Sequence, residues 1–150
     1  MKRGGPTESG FVRYAYRPFD TRWLYWERDT KLLDEKRAEY RPHVFAGNLW
    51  LESREREAKD DFSRGTVTRH LADNFGDGLS SFFPAWLHED TLGDDRLGTS
   101  RPNLTVAARR YLERLGLGIE DLFHLVLAVL HDPDYREAKG SIAEAIPLHP

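Results

Sequence analysis

Several features that define common functional classes are missing from this sequence. The 150 residues contain no cysteine, which excludes disulfides and thiolate metal sites and is typical of a reducing compartment. No apolar run approaches the roughly 20 residues that a membrane helix requires, and the N-terminal MKRGGPTESG lacks the apolar stretch of a secretory signal. We therefore expect a cytoplasmic globular protein without membrane association, whose residues 1–10 form a flexible lead.

An excess of one charge is also lacking, because acidic and basic residues nearly balance at a net charge of -3. This balance argues against a protein that binds nucleic acid over its whole surface. The distribution is uneven, however: residues 1–70 contain 15 Lys and Arg against 12 Asp and Glu, whereas residues 71–150 contain 7 against 13. A polyanion would meet the first half more readily, although an ordinary solvated surface explains so small an asymmetry more simply.

Motifs for catalysis are absent or misplaced. Asp134, Glu137 and Lys139 are the residue types of a metal-dependent nuclease, but that chemistry needs an acid on one strand and an acid-x-Lys on the next, whereas these three lie in one predicted helix. His124 and His131 share a helix face without a third ligand at metal-binding spacing. The stretch GDGLSS lacks the lysine of a phosphate-binding loop, and there is no G-x-S-x-G turn. We therefore expect neither catalysis nor a metal or cofactor site in this chain.

Short aromatic and β-branched runs, separated by turn residues, predict a β-rich region over residues 11–87. Pro18 ends the first run, and Pro84 indicates an edge or a bend in the last. A short helix is predicted at 34–40, and the Gly-, Asp- and Thr-rich segment 88–101 is predicted to be a mobile loop. The predicted strands lie at residues 11–17, at 22–26, around Trp50, at 66–71 and at 80–87.

The rest of the chain, residues 102–150, has a helical pattern. Thr105 is a predicted N-cap for the first helix, and Gly116 is its predicted end. The next segment, GIEDLFHLVLAVLHD, is apolar almost all round, so we expect a buried central helix. Asp132 followed by proline predicts the start of a third helix. We therefore predict one α+β domain over residues 11–150, with a mixed or antiparallel sheet followed by a helical subdomain.

Arginine and aromatic residues are concentrated in the predicted strands, for example in YRPFDTRWLYWE. Arginine pairs with guanine edges and phosphates and stacks on aromatic rings, so nucleic-acid contact is one interpretation. The other is structural: Arg17 and Asp20 bridge a turn, and the aromatic residues of 23–26 fill two packed faces. We favour the structural interpretation for the aromatic residues. For the arginines of FSRGTVTRH, where Gly65 suggests a hinge, both interpretations stay open.

Several of these segments occur in the order seen in a known family. YRPFDTRWLYWE, KLLDEKRAEYRPHV, GNLWL, VTRHL, FFPAWL and the helical RPNLT…LHDPDYREA together resemble the C-terminal target-recognition region of type ISP restriction–modification enzymes. The resemblance extends over nearly the whole chain, from Phe11 to Leu148. In that family a nuclease, a helicase-like ATPase and an S-adenosylmethionine-dependent DNA adenine methyltransferase accompany this region in one polypeptide.

The resemblance implies that the chain is a fragment of a larger enzyme, the product of a split gene or a degenerate remnant, and that it helps to recognise a double-stranded DNA target. The Asn-Pro-Pro-aromatic motif of the methyltransferase is absent from the sequence, as are the ATPase loop and the nuclease core. Catalysis would therefore belong to methyltransferase and helicase–nuclease domains in the same or a neighbouring chain. These domains, and not this segment, would bind S-adenosylmethionine, ATP and Mg²⁺.

Residues expected to contact DNA are chosen by residue type and predicted exposure, because arginine and threonine read base edges and basic side chains contact phosphates. They are Arg64, Thr66 and Arg69 for target readout, and Arg22, Lys36 and Arg41 for the DNA backbone. The alternative function is an interaction module, whose acidic helical half docks on a methyltransferase or helicase partner without independent DNA binding.

Overall fold

Eight short strands followed by three α-helices make up the regular structure in the part of the chain that the computed structural model describes, which is residues 5–17, 19–26, 38–53, 65–72, 80–89 and 99–139. This order confirms the predicted α+β fold. The strands are β1 (Phe11–Arg17), β2 (Asp20–Tyr25), β3 (Trp50–Ser53), β4 (Gly65–Thr68), β5 (Leu71–Ala72), β6 (Ser81–Pro84), β7 (Trp86–Glu89) and β8 (Thr99–Pro102). The helices are α1 (Val106–Leu115), α2 (Ile119–His131) and α3 (Pro133–Lys139).

The strands form three small sheets. The first sheet has the order β2-β1-β5, with β1 and β2 antiparallel and β5 parallel to β1. The second sheet is antiparallel with the order β4-β3-β6, and the third is the antiparallel pair of β7 and β8. Only Arg69 and His70 separate β4 from β5, so this two-residue turn connects the second sheet to the first.

A buried apolar cluster lies where α2 packs against the second sheet. We call it the second-sheet core; it consists of Leu49, Leu51, Ala85, Ile119 and Phe123. Helix α2 contributes its buried face to this cluster, whereas Leu125 on the same helix remains exposed. The helix is therefore buried along one face and not enclosed on every side, because its described contacts are mainly with β4 and α3. No helix in the described residues is long and apolar enough to cross a membrane.

Gly65 lets α2 approach the second sheet closely. A Cβ atom at this position would lie 2.6 Å from Cδ1 of Leu130 and 3.4 Å from the carbonyl oxygen of Glu52. Nε2 of His131 donates a hydrogen bond to the carbonyl oxygen of Gly65 at 2.8 Å, because a carbonyl can only accept. Gly65 thus starts a strand and serves close packing, whereas the sequence had suggested a hinge.

Asn48 is a fully buried polar residue beside the second-sheet core. Its Nδ2 donates to the carbonyl oxygens of His43 and Trp86 at 2.7 and 3.0 Å. Its Oδ1 accepts from the backbone N–H groups of Leu49 and Trp86 at 2.9 and 3.0 Å. A side-chain amide has two donor hydrogens and two acceptor lone pairs, so all four positions are occupied. The side-chain amide thereby connects the residues just before β3 to Trp86, the first residue of β7, as the backbone groups of a paired strand would.

The helix boundaries confirm the predictions made from capping residues. Thr105 Oγ1 accepts from the N–H of Ala108 at 3.2 Å, and Gly116 ends α1 with a left-handed φ of 67°. Asp132 Oδ1 accepts from the N–H groups of Asp134 and Tyr135 at 2.9 and 3.0 Å, which caps α3. Such caps depend on neighbouring residues alone, and this is why the sequence predicts them well.

Two segments differ from their sequence-based predictions. The predicted strand 66–71 is divided into β4 and β5, because Thr68 Oγ1 accepts from the N–H of His70 at 3.2 Å and closes a turn. Strands β7 and β8 occupy both ends of the segment 88–101 that was predicted to be a loop, so β structure extends to Pro102. Cross-strand pairing stabilises these polar residues as strands, and such a non-local contact leaves little trace in composition.

Two further predictions concern residues near the N-terminus and in the first connection. Glu8–Gly10 forms a 3-10 helix, and Gly10 is buried under the ring of Tyr25, so the end of the predicted flexible lead has fixed contacts. Residues 34–37 of the predicted short helix lie outside the described residues, and Ala38–His43 is a 3-10 helix. Its Tyr40 ring packs edge-on against Trp50, 5.7 Å between centroids.

Candidate nucleic-acid interface

Antiparallel pairing of β1 and β2 determines which side chains share a face of the first sheet. Arg13 lies opposite Trp23, and Phe11 lies opposite Tyr25, so these side chains point to one side. The guanidinium of Arg13 lies over the ring of Trp23, 5.0 Å from its centroid. Trp23 is 64% exposed, so this face presents to solvent an aromatic ring with a cation above it.

The exposure of Trp23 corrects the expectation that the aromatic residues of β2 fill a core. Trp26, just beyond β2, is buried as expected. Side chains alternate between the two faces of a strand, and Val12 and Leu24, which lie opposite each other, belong to the less exposed face. Trp23 therefore falls on the outer face together with Arg13, where the described residues place no layer over it.

The turn between β4 and β5 lies beside this outer face. Arg69 is exposed at its tip, and Thr68 holds the turn through the N–H of His70. Burial, and to a lesser extent the positive charge of Arg13, lower the pKa of His70. The parallel pairing of Tyr14 with Leu71 places His70 beside Arg13, which accounts for this electrostatic effect. We call Arg13, Trp23, Arg69 and His70 the hairpin–turn surface.

Arg22 points to the opposite side of the first sheet from Arg13, because it pairs with Tyr14 and not with an outer-face residue. Its Nε and Nη2 donate to the carboxylate of Asp20 at 2.8 to 3.2 Å, and its guanidinium lies 4.0 Å from the ring centroid of Tyr16. The hydrogen bond to Asp20 raises the pKa of Arg22. Much of its charge is thus balanced within the hairpin, and it braces the strands next to their turn.

Thr66 and Arg41 make contacts within the protein. Thr66 Oγ1 donates to one carboxylate oxygen of Glu52 at 2.9 Å, while Ser80 Oγ donates to the other at 2.8 Å. Arg41 Nη2 donates to the carbonyl oxygen of Ser9 at 2.5 Å. The side chains of Thr66 and Arg41 are half-buried. Their contacts give them a structural role in addition to any role in binding.

The four predicted DNA contacts that the structure describes do not form one cluster. Arg69 belongs to the hairpin–turn surface, and Arg22 lies on the other face of the β1–β2 hairpin. Arg64 and Lys36 lie outside the described residues.

Arg13, Trp23 and His70 were not among the DNA contacts predicted from the sequence. Alternation along each strand indicates a shared face only after the hairpin register is known, and that register pairs Arg13 with Trp23. His70 comes beside them through the parallel pairing of Tyr14 with Leu71, a contact between distant parts of the chain. No local motif marks such a contact, so composition could not reveal it.

Helix α1 carries three further exposed arginines, Arg109, Arg110 and Arg114. Arg114 lies 6.0 Å from the ring centroid of Tyr111, and the end of the helix exposes Leu115 and, after it, Leu117. This end of the molecule is thus both cationic and apolar. Among the described residues, no group of three or more His, Asp or Glu side chains is arranged to hold a metal ion.

Comparison with known proteins gives one match. The family model described as the type ISP C-terminal specificity domain matches residues 2–138. No curated protein and no solved structure matches the chain. The family match covers both the strands of the hairpin–turn surface and the three helices. This chain therefore belongs to the type ISP C-terminal specificity domain family, whose members are target-recognition modules of restriction enzymes.

Proposed function

We propose that the chain recognises a double-stranded DNA target and that the hairpin–turn surface is its principal contact. The observation that supports this function best is the arrangement of Arg13 over an exposed Trp23, next to the exposed Arg69 and the half-buried His70. Arginine on an aromatic ring keeps its donors free at its edge, where they can pair with phosphate oxygens or a guanine. The match to the type ISP C-terminal specificity domain family supports the same function.

The contacts of each arginine suggest a division of roles. Arg69 projects from a turn and is proposed to read bases, whereas Arg13, whose orientation is set by Trp23, is proposed to bind phosphate. Arg22 is already paired with Asp20 and is proposed as a secondary backbone contact. Arg64 directly precedes Gly65 in the sequence, and it is retained with Thr66, Lys36 and Arg41 as part of the proposal.

The chain is proposed to act without catalysis of its own, in the cytoplasm. Methyltransferase and helicase–nuclease domains, in the same or a neighbouring chain, would use S-adenosylmethionine, ATP and Mg²⁺. The specificity module would place them on the DNA.

Fluorescence anisotropy with labelled duplexes at increasing salt tests this proposal. Binding should weaken steeply with salt, because each phosphate contact releases counterions. Arg13→Ala and Arg69→Ala should each weaken binding about fivefold or more, which corresponds to the loss of roughly one charged contact of 1 kcal/mol or more. Arg110→Ala on α1 removes the same charge from an exposed helix and should change the affinity less than about twofold.

Two results would contradict the proposal. If no duplex binds the wild-type chain at low salt, the chain does not recognise DNA alone. If Arg110→Ala weakens binding as much as Arg13→Ala does, the attraction is a general effect of charge and the hairpin–turn surface is not the contact.

A second candidate function is docking on another domain of the restriction enzyme. Exposed Leu115 and Leu117, at the connection between α1 and α2, support it, because apolar side chains exposed together are typical of interaction sites. Calorimetric titration with the methyltransferase domain encoded in the same or the adjacent reading frame tests this candidate. Leu117→Asp should abolish that binding and leave DNA affinity unchanged. Unchanged binding in this variant would rule out the connection as the docking site.

A further inference from the structure

Phe19 occupies an unusual position at the tip of the hairpin formed by β1 and β2. Arg17 and Asp20 are the last paired residues of the two strands, so Phe19 lies in the connection between them. Phe19 has a φ of 66° and a relative exposure of 109%. The ring is therefore wholly in solvent, on a backbone conformation that non-glycine residues seldom adopt.

Neither the turn nor the fold accounts for a phenylalanine here. Two-residue hairpin connections with positive φ favour Gly, Asn and Asp, which adopt this conformation at lower cost. A fully exposed ring contributes no buried apolar area to the stability of the chain. The positive φ and the full exposure of the ring both disfavour Phe19 in the isolated protein. Residues with such an unfavourable backbone conformation are frequent at functional sites.

The hairpin holds Phe19 on a braced support. Arg22 is clamped by two side chains of the same hairpin, forking onto the carboxylate of Asp20 and stacking on Tyr16. The pairing register shifts between Ala15 and Arg17, and such a bulge increases twist and bends a ribbon. Asp20, the residue that follows Phe19, is thus held by Arg22, so the backbone on that side of the ring is positioned before DNA binds.

We propose that Phe19 is a wedge that inserts between two base pairs of the bound duplex and unstacks them. This inference rests on the proposed DNA recognition. Apolar side chains presented by a ribbon can enter a base step, and the unstacking is offset by the additional surface that the bent duplex brings into contact. The exposed cation Arg13 on the same hairpin favours a polyanion over an apolar protein pocket as the occupant.

The test uses a duplex that the wild-type chain enriches from a random-sequence double-stranded library. Permanganate oxidises thymines that have lost stacking, so it reports insertion at any thymine of the duplex. The wild-type complex should show one or two thymines that react at least about fivefold faster than in free DNA. Phe19→Asn relieves the backbone and removes the ring; it should abolish this reactivity and weaken binding about tenfold, in the range of one lost stacking contact.

Phe19→Trp and Phe83→Ala are the matched variants. Phe19→Trp keeps an aromatic wedge and should retain the reactive thymines. Phe83 is another exposed phenylalanine, on β6 of the second sheet, and its replacement should leave the reactivity unchanged. The melting temperature of Phe19→Asn should equal or exceed that of the wild type, which separates loss of the wedge from loss of folding.

The failures of the two proposals are distinguishable. If the wild-type chain binds DNA and Phe19→Asn shows the same permanganate pattern, the wedge is overturned while DNA recognition stands. If the wild-type chain enriches no duplex, both proposals fail. If Phe19→Asn leaves DNA binding intact but loses binding to the methyltransferase domain, the ring is a protein contact and the wedge is again overturned.

Discussion

The hairpin–turn surface and the interior around the second-sheet core differ in how completely their side chains are enclosed by partners. At the surface, Arg13 has one ring partner, Trp23, and both are exposed. In the interior, Asn48 has four hydrogen bonds and no exposed area, and Gly65 leaves no space even for a methyl group. Substitutions in the interior should therefore change the free energy of unfolding, whereas those at the surface should change DNA binding alone. This separation can be tested from the largest expected effect to the smallest.

Asn48→Ala should have the largest effect. It leaves the carbonyl oxygen and the N–H of Trp86 without their side-chain partners in the interior, so the free energy of unfolding should fall by about 2 to 4 kcal/mol. Urea denaturation followed by tryptophan fluorescence measures this change. Asn103→Ala is the control, because Asn103 is half-buried and its Nδ2 donates to one carbonyl oxygen, that of Pro84. If Asn103→Ala lowers the free energy of unfolding as much as Asn48→Ala does, the four buried hydrogen bonds of Asn48 are not the cause of its larger expected effect.

Gly65→Ala should lower the free energy of unfolding by about 1 to 3 kcal/mol, because the new methyl group overlaps Leu130 and the chain must shift. Replacing Leu130 by Ala in the same protein should remove part of the overlap. The double variant should therefore lose less free energy of unfolding than the two single variants lose together. Gly5→Ala is the matched control, since nothing lies within 4 Å of a Cβ at that position. Full additivity of the Gly65 and Leu130 substitutions would show that close packing is not the cause.

Arg13 and Trp23 should act as a coupled pair in DNA binding. Trp23→Ala removes the ring that orients Arg13. The double variant should therefore lose less DNA-binding free energy than the two single variants lose together, and the difference should be about 0.5 to 1 kcal/mol. Anisotropy titrations of the four proteins of the cycle measure it. Neither substitution should change the free energy of unfolding by more than about 0.5 kcal/mol. A larger loss of stability in Trp23→Ala would place that ring in the core after all.

Acidification should produce the smallest effect, through His43. Burial, followed by the charges of His88 and Arg101, lowers the pKa of His43, whose Nδ1 accepts from the N–H of His88 at 3.1 Å. Because its pKa is lower in the folded than in the unfolded chain, the unfolded chain takes up the proton first as the pH falls below about 6.5. Stability is therefore complete above that pH and declines below it.

The decline in the free energy of unfolding that is due to His43 should be less than about 1 kcal/mol. Urea denaturation at pH 7.5 and pH 5.5 measures it. The difference between the two pH values should shrink in His43→Gln and persist in His124→Gln, which changes an exposed histidine of α2. An unchanged pH difference in His43→Gln would assign the effect to other groups.

Local elements were predicted well because their causes are local. Thr105, Gly116 and Asp132 cap helices through residues two to four positions away, so the sequence is sufficient to identify them. The alternation in residues 11–17 likewise predicts β1, and the family resemblance found in YRPFDTRWLYWE is confirmed by the specificity-domain match. The positions of Asn48 and His70 were not predictable in this way, because each depends on a strand pairing between distant segments.

The sequence by itself determined the α+β class, the helix ends and the family, since propensity, capping and ordered motifs are properties of neighbouring residues. Tertiary structure alone decided which arginines are already engaged by partners within the protein. Arg22 pairs with Asp20 and Arg41 binds the carbonyl of Ser9, whereas Arg13 lies exposed on Trp23. The physical reason is that strand register and sheet packing choose the partners of each side chain, and a charged side chain that already has a strong partner has less to offer a ligand.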